Sequence, residues 1–252
     1  MKKLLLFIIT AFIYISAHSQ YNQFFFVNAK RDKKSAVKKT LLNEIKQSAE
    51  IRIKNGHLKG YDVWQTLNGM GKIDFIVVES YSDLNNMHKS SSISKNLKFN
   101  PDESSRFWNS WNTNTIDFPR IITKSEAFVN KSDKLPKFVR INMFKTVNNE
   151  MRAKWIRGHK KFAKNFISGK TDAWGSGSII FKPYALDYNH ITSNFYDNET
   201  LASFLTDDEP MKMGSAEMTE YWKKEDGTST KFNKEVRVWK NTIMCKKLLE
   251  IR

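Results

Sequence analysis

Two rhythms of apolar residues recur along the chain. "FFFVNAK" (24–30) and "FVRINMFK" (138–145) are short apolar runs of strand length. Each precedes a stretch in which apolar residues return about every four positions: Val37, Leu41, Ile45 and Ala49 in one, and Met151, Trp155, His159, Phe162 and Phe166 in the other. That spacing lines one face of a helix. Gly60 and Gly169 follow as helix stops. A second strand then opens with "GYDVW" (60–64) or with the "DAW" of "KTDAW" (170–174), and a third runs through "KIDFIVVESY" (72–81) or "YNHITSNFY" (188–196). Short helices are predicted near Ser82–Met87 and Asn198–Phe204, with Asp83 and Asn198 as N-caps. Polar stretches (88–105 and 206–215) lead to helical segments around Trp108 and Trp222. Closing strands follow at 120–129 and 235–244.

The rhythm is therefore β-α-β-β-α-β, written twice. A shift of 114 pairs Phe24 with Phe138, Asn28 with Asn142, Tyr81 with Phe195, Asp83 with Asp197 and Trp108 with Trp222. Trp64 and Trp174 lie 110 apart, Arg120 and Arg237 117 apart, differences that loop gaps absorb. An ordered set of matches at nearly one offset predicts an internal duplication. Each unit is a split βαβ, ferredoxin-like arrangement, with one sheet face left for a partner. The expected fold is α+β: two tandem ferredoxin-like repeats, 20–132 and 138–252, joined by "NKSDKLPK" (130–137) and packed as a pseudo-dimeric α+β barrel in a monomer.

The first residues change the picture of where this fold works. Lys2 and Lys3 precede an apolar run from Leu4 to Ile15, followed by Ala17 and Ser19 at the positions a signal peptidase reads. Residues 1–19 are expected to be a secretory signal peptide cut near Ser19, and the protein to be secreted or periplasmic. The run is shorter than the ~20 residues of a membrane span, so no transmembrane anchor is expected. The single cysteine, Cys245, excludes an intrachain disulfide and reads as a small buried apolar residue. The formal charge is +16, or +14 without Lys2 and Lys3. Outside the cytoplasm this suits anionic surfaces. No nucleic-acid motif is present, and a solvated basic surface accounts for the spread of lysines.

The segment "DFIVVESYSDLNNMH" (74–88) resembles the dimeric α+β-barrel superfamily, of the antibiotic-biosynthesis-monooxygenase type. There the third strand ends in Glu-x-aromatic before a helix start rich in Asp and Asn, matched by Glu79, Tyr81, Asp83, Asn86 and His88. The second copy has Ser193 where the Glu is expected. The resemblance implies cofactor-independent oxygenation or haem degradation. The haem-degrading branch shares an Asn on the first strand, as at Asn28 and Asn142. It has a Trp just before the Glu, where this chain has Val78, so no cofactor is expected.

Strand alternation nominates the site. Val27 and Ala29, and with them Val139, Ile141 and Met143, are assigned to the helix-facing side. Phe24, Phe26 and Asn28, with Phe138, Arg140, Asn142 and Phe144, are assigned to the space between the sheets. Asp62 with Trp64, and Asp172 with Trp174, add aromatic walls with polar groups, as a ligand pocket needs. The same residues equally serve as interface hydrogen bonds, turn caps and core. His159 falls on an apolar helix face, and His190 opens a strand that can bring it near. The ligand-binding candidates are therefore Asn28, Asp62, Trp64, Arg140, Asn142, His159, Asp172, Trp174 and His190. No metal is expected, because the histidines lack ligand spacing. "GSGS" (175–178) reads as a strand bend. Three functions follow: a small-ligand-binding protein for an anionic or aromatic ligand, a cofactor-independent monooxygenase, or a basic module for anionic polymer.

Overall fold

A computed structural model of the chain describes residues 21–67, 73–89, 92–146, 149–167, 171–197, 220 and 237–252. The strands are β1 (Tyr21–Ala29), β2 (Gly60–Thr66), β3 (Phe75–Tyr81), β4 (Thr115–Asp117), β5 (Arg120–Asn130), β6 (Phe138–Thr146), β7 (Ala173–Phe181), β8 (His190–Tyr196) and β9 (Arg237–Ile251). The helices are α1 (Lys34–Leu42), α2 (Glu44–Lys54), α3 (Leu84–Lys89), α4 (Ile93–Asn96), α5 (Pro101–Asn114) and α6 (Asn149–Phe162), the last running into a 3-10 turn at Ala163–Phe166. The predicted short helix near Asn198–Phe204, the polar stretch at 206–215, Trp222, Gly169 and the leader lie outside the described residues. None of the described helices is long and apolar enough to cross a membrane.

Among the described residues every strand pairing is antiparallel. Strands up to Asn130 pair in the order β5-β1-β3-β2, and those from Phe138 in the order β9-β6-β8-β7. β2 joins β9 and β5 joins β7, so the eight strands close on themselves as a barrel, with β4 an addition beside the end of β1. An eight-stranded barrel encloses a space that side chains fill or that holds one small ligand. The fold is thus an α+β barrel.

Its two layers follow from alternation. Inward residues Phe24, Phe26, Trp64, Ile76, Ile121, Val139, Ile141, Met143, Ile191 and Phe195 form one core. Val27, Ala29, Val63, Phe75 and Val77 point outward and pack on Val37, Leu41 and Ala49 of α1 and α2 and on Trp111 of α5. The predicted first helix is two helices, broken at Asn43 where ψ reaches −84°. Helix α2 ends at Lys54, and Gly56, at φ +71°, takes the left-handed turn beyond it; Gly60 instead opens β2. Asp83 does cap α3, accepting from the Asn86 N–H at 2.7 Å. Helix α5 carries a full capping box between Asn100 and Glu103.

The second half differs from expectation on one point that matters for the site. Val139, Ile141 and Met143 face the barrel interior, not the helix layer. Phe144 lies instead against Trp155 of α6, ring centroids 5.5 Å apart. Phe138, Arg140 and Asn142 share its face by alternation. The ladders explain why. Seven pairs join β1 to β3, from Tyr21–Tyr81 to Val27–Phe75, and seven join β6 to β8, from Phe138–Tyr196 to Phe144–His190. In ladder position Phe138 therefore answers Tyr21, not Phe24. Glu79 pairs with Tyr61, and Asn194 with Trp174. Asn194, rather than Ser193, stands where Glu79 stands, and Trp174 stands where Tyr61 does. Because side chains alternate, a slip of one residue exchanges the faces.

Candidate functional site

One end of the barrel is filled by side chains and the other is hollow. Phe26, Ile76, Ile121, Met143 and Ile179 belong to the packed interior and lie outside the cavity wall. Toward the start of β2 and the end of β3 opens a cavity of about 860 Å³. Phe24, Trp64, Phe128 and Phe195 give its aromatic wall, Val78, Val139, Ile141 and Ile191 its aliphatic wall. Trp64 and Phe195 lie 5.9 Å apart, Phe128 and Phe195 6.2 Å apart in an edge-on contact. Asn22, Ser80, Thr123, Ser125 and Ser193 add polar groups.

Part of this space traces to β7. Its lining positions Gly175 and Gly177 carry no side chain. A Cβ at 175 would lie 3.2 Å from the Phe128 ring, and one at 177 would lie 3.3 Å from the Lys124 carbonyl and Thr123. "GSGS" is thus a continuous strand segment rather than a bend. The irregularity sits on the partner strand, between Ser125 and Ala127 of β5.

The mouth of the cavity is charged. Asp62, 3% exposed, takes both guanidinium nitrogens of Arg252, at 2.8 and 3.2 Å. Arg252 also reaches Glu250 at 3.1 Å, and Glu250 pairs with Lys247 at 2.6 Å. Burial pushes the Asp62 carboxyl up to about 6, against the opposing pull of Arg252. Gly60 makes room for this arrangement: a Cβ there would stand 2.5 Å from the Arg252 Nη1. Glu250 and Arg252 are not singled out by sequence pattern. The signal available was an aspartate on an inward strand position, which needs a cation nearby.

The other candidates separate into two groups. Asp172 does not share the cavity: it accepts from the Asp197 N–H at 3.0 Å and from Lys131 at 3.4 Å, closing the turn before β7. Trp174 faces outward against His159, 5.0 Å between centroids, so the two Asp-x-Trp stretches lie on opposite sides of the barrel wall. Asn28 pairs with Asp117 of β4, away from the cavity. Asn142 donates to Thr192 at 3.4 Å and accepts from Thr242 at 3.2 Å, a polar rung across β8, β6 and β9. Arg140 is buried on that same outer face. Arg120 packs over the Phe181 ring, 5.5 Å from its centroid.

His159 and His190 do meet. His159 Nδ1 lies 2.9 Å from Ser176 Oγ, and that oxygen lies 2.8 Å from His190 Nε2. Trp155 stands 4.5 Å from each imidazole, and all three polar residues are buried. A hydroxyl both donates and accepts, so Ser176 can hand a proton from one ring to the other. The alternation of glycine and serine in "GSGS" was the signal for it: small residues inward, hydroxyls outward, under the helix.

On the first half, Glu79 and Tyr81 face the helices. Arg52 of α2 donates to Glu79 at 2.6 and 3.0 Å, and Tyr81 bonds both. Burial alone would lower the Arg52 guanidinium, but the Glu79 charge and hydrogen bonds raise it overall. This buried ion pair commits both carboxylate oxygens of the Glu-x-aromatic motif.

No protein-family model and no curated protein matches the chain. Similarity is found among solved structures. A candidate monooxygenase from Lactobacillus acidophilus aligns with TM-score 0.52 at 12% identity, covering 91% of this chain and 92% of that one. An anthrone oxidase-like protein aligns with TM-score 0.56 at 9% identity, over 94% of each chain. A candidate monooxygenase from Fusobacterium nucleatum aligns with TM-score 0.56 at 11% identity, over 92% and 94%. At these identities the likeness is one of fold, the α+β barrel.

Proposed function

We propose that this chain is an exported small-ligand-binding protein whose site is the hollow end of the barrel. The observation that carries it is the cavity of about 860 Å³, walled by aromatics, with the buried Asp62 and its partner Arg252 at the mouth. Its size and mixture of apolar wall with few polar groups match small-molecule sites. The barrel is read as two ferredoxin-like repeats, 20–132 and 138–252, that arose by duplication and form a pseudo-dimer within one chain. The same strand order and the matching seven-pair ladders support this. Export rests on the predicted leader at 1–19, and the basic surface suits an anionic environment outside the cytoplasm.

The neutral fluorophore N-phenyl-1-naphthylamine tests the site. The protein is expected to bind it with blue-shifted emission at micromolar concentration. Ser193→Trp, which fills the cavity from β8, is expected to weaken binding at least tenfold with the fold intact by circular dichroism. Equal binding by both proteins would place the probe elsewhere and sink the reading.

A second reading, cofactor-independent oxygenation of an aromatic compound, draws on the groups behind Ser176, which itself borders the cavity. The His159–Ser176–His190 relay supplies acid–base groups beside the faces of Trp155 and Trp174, and the similar structures include two candidate monooxygenases and an anthrone oxidase-like protein. Under this reading, oxygen uptake with anthrone is lost in Ser176→Ala and kept in Ser193→Trp. Absence of uptake by the unaltered protein removes it.

A further inference from the structure

The mouth of the barrel carries charge information beyond its volume. Asp62 and Glu250 stand directly opposite each other in the β2–β9 ladder. Like charges at that separation repel, so the pair requires a cation between them. Lys247 meets Glu250 at 2.6 Å, and Arg252 is the cation between the two carboxylates: it bonds Asp62 through Nη1 and Nη2, reaches Glu250 at 3.1 Å and gives a third bond to the Ile251 carbonyl at 3.0 Å. The acceptors are buried and the donor is not. The Asp62 and Glu250 side chains are 4% and 12% exposed, whereas that of Arg252 is 42% exposed.

An arriving anion finds these guanidinium nitrogens already engaged by two carboxylates and a carbonyl, and must also approach those carboxylates. An arriving cation finds two buried carboxylates and has to displace only the half-exposed Arg252. Behind them lie Trp64 and Phe195, whose ring faces favour an aromatic body and an adjacent positive charge.

We propose that the cavity selects amphipathic aromatic cations, primary amines in class, whose ammonium replaces the Arg252 guanidinium between Asp62 and Glu250. The inference rests on the barrel cavity being the ligand site. It adds that Arg252 is an internal competitor, not a ligand-binding arginine.

Three probes of one shape and different charge test it: 2-phenylethylamine, 2-phenylethanol and phenylacetate, each displacing N-phenyl-1-naphthylamine from the full-length protein at pH 7.5. The amine is expected to compete at least tenfold better than the alcohol, and phenylacetate worse than either. Arg252→Ala is expected to strengthen the amine by about tenfold and leave the alcohol unchanged. Asp62→Asn is expected to bring amine and alcohol within twofold. Equal competition by all three probes would keep the cavity and overturn its charge selectivity. Strongest competition by phenylacetate, lost in Arg252→Ala, would reverse the sign of the site. Failure of the fluorophore to bind would overturn the cavity reading and this inference with it. Arg252 is half-exposed, so its variant reports on the proposal even where Asp62→Asn fails to fold.

Discussion

Glu79→Ala is expected to destabilise the protein by about 3–5 kcal/mol, the cost of leaving one member of a buried ion pair without its partner. The stranded group is Arg52, whose side chain is 7% exposed and lies beneath α2. Its guanidinium stays charged, because arginine does not lose its proton in proteins. Tyr81 is left to Arg52 alone, having lost its acceptor. The reverse change, Arg52→Ala, strands the Glu79 carboxylate and is likewise expected to destabilise. Replacing both members, as Arg52→Met with Glu79→Leu, is expected to recover most of the loss, since apolar residues of similar size often replace a buried pair without penalty. Urea unfolding of the four proteins compares these costs. A cost below about 1 kcal/mol for Glu79→Ala would mean that water reaches the pair.

That pair also shows how far the sequence could be read. The Glu-x-aromatic ending of the third strand is visible as a motif, and it correctly marks the passage from β3 into α3. What the motif does in this chain depends on Arg52, 27 residues earlier, which presents itself only as one more basic residue on a helix. The barrel order is legible for a related reason: apolar runs and helical spacing recur in step, and the closing pairs β2–β9 and β5–β7 are what two open sheets require. The inward face of β1 is legible because Val27 and Ala29 are small beside the phenylalanines. On β6 both faces are apolar, and alternation has nothing to decide between them. Matching at an even offset of 114 then carried the inward face of β1 onto the outward face of β6, where the ladders pair Phe138 with Tyr196 as Tyr21 with Tyr81. The echo of "GYDVW" in "KTDAW" falls to the same slip. Asp62 looks into the cavity and Asp172 closes a turn, because the ladders offset the two stretches by three residues, an odd number that exchanges the faces.

Asp62 should also write its position into the pH dependence of stability. Its carboxyl is raised from the ordinary 3.8 to about 6, by burial first and against the attraction of Arg252. Below about pH 4 it is protonated in folded and unfolded chains alike and contributes no difference. Between about pH 4 and 6 the folded protein holds a proton that the unfolded chain has released. Stability from this group therefore falls as pH rises through that window, and the loss is complete above about 6. That elevation corresponds to about 3 kcal/mol. Relative to Asp62→Asn, the unaltered protein is expected to lose about that much between pH 4 and pH 7, read from paired urea unfolding curves at each pH. A constant difference between the two would mean that the mouth is wet and the carboxylate ordinary. The sign matters for function. An aspartate that stabilises the fold is lowered by its partners; one that is raised is carried at a cost, and Arg252 offsets only part of it. A ligand cation that meets Asp62 more closely than Arg252 does would recover the remainder, so the pH window in which the carboxylate becomes charged should also be the window in which amine binding switches on.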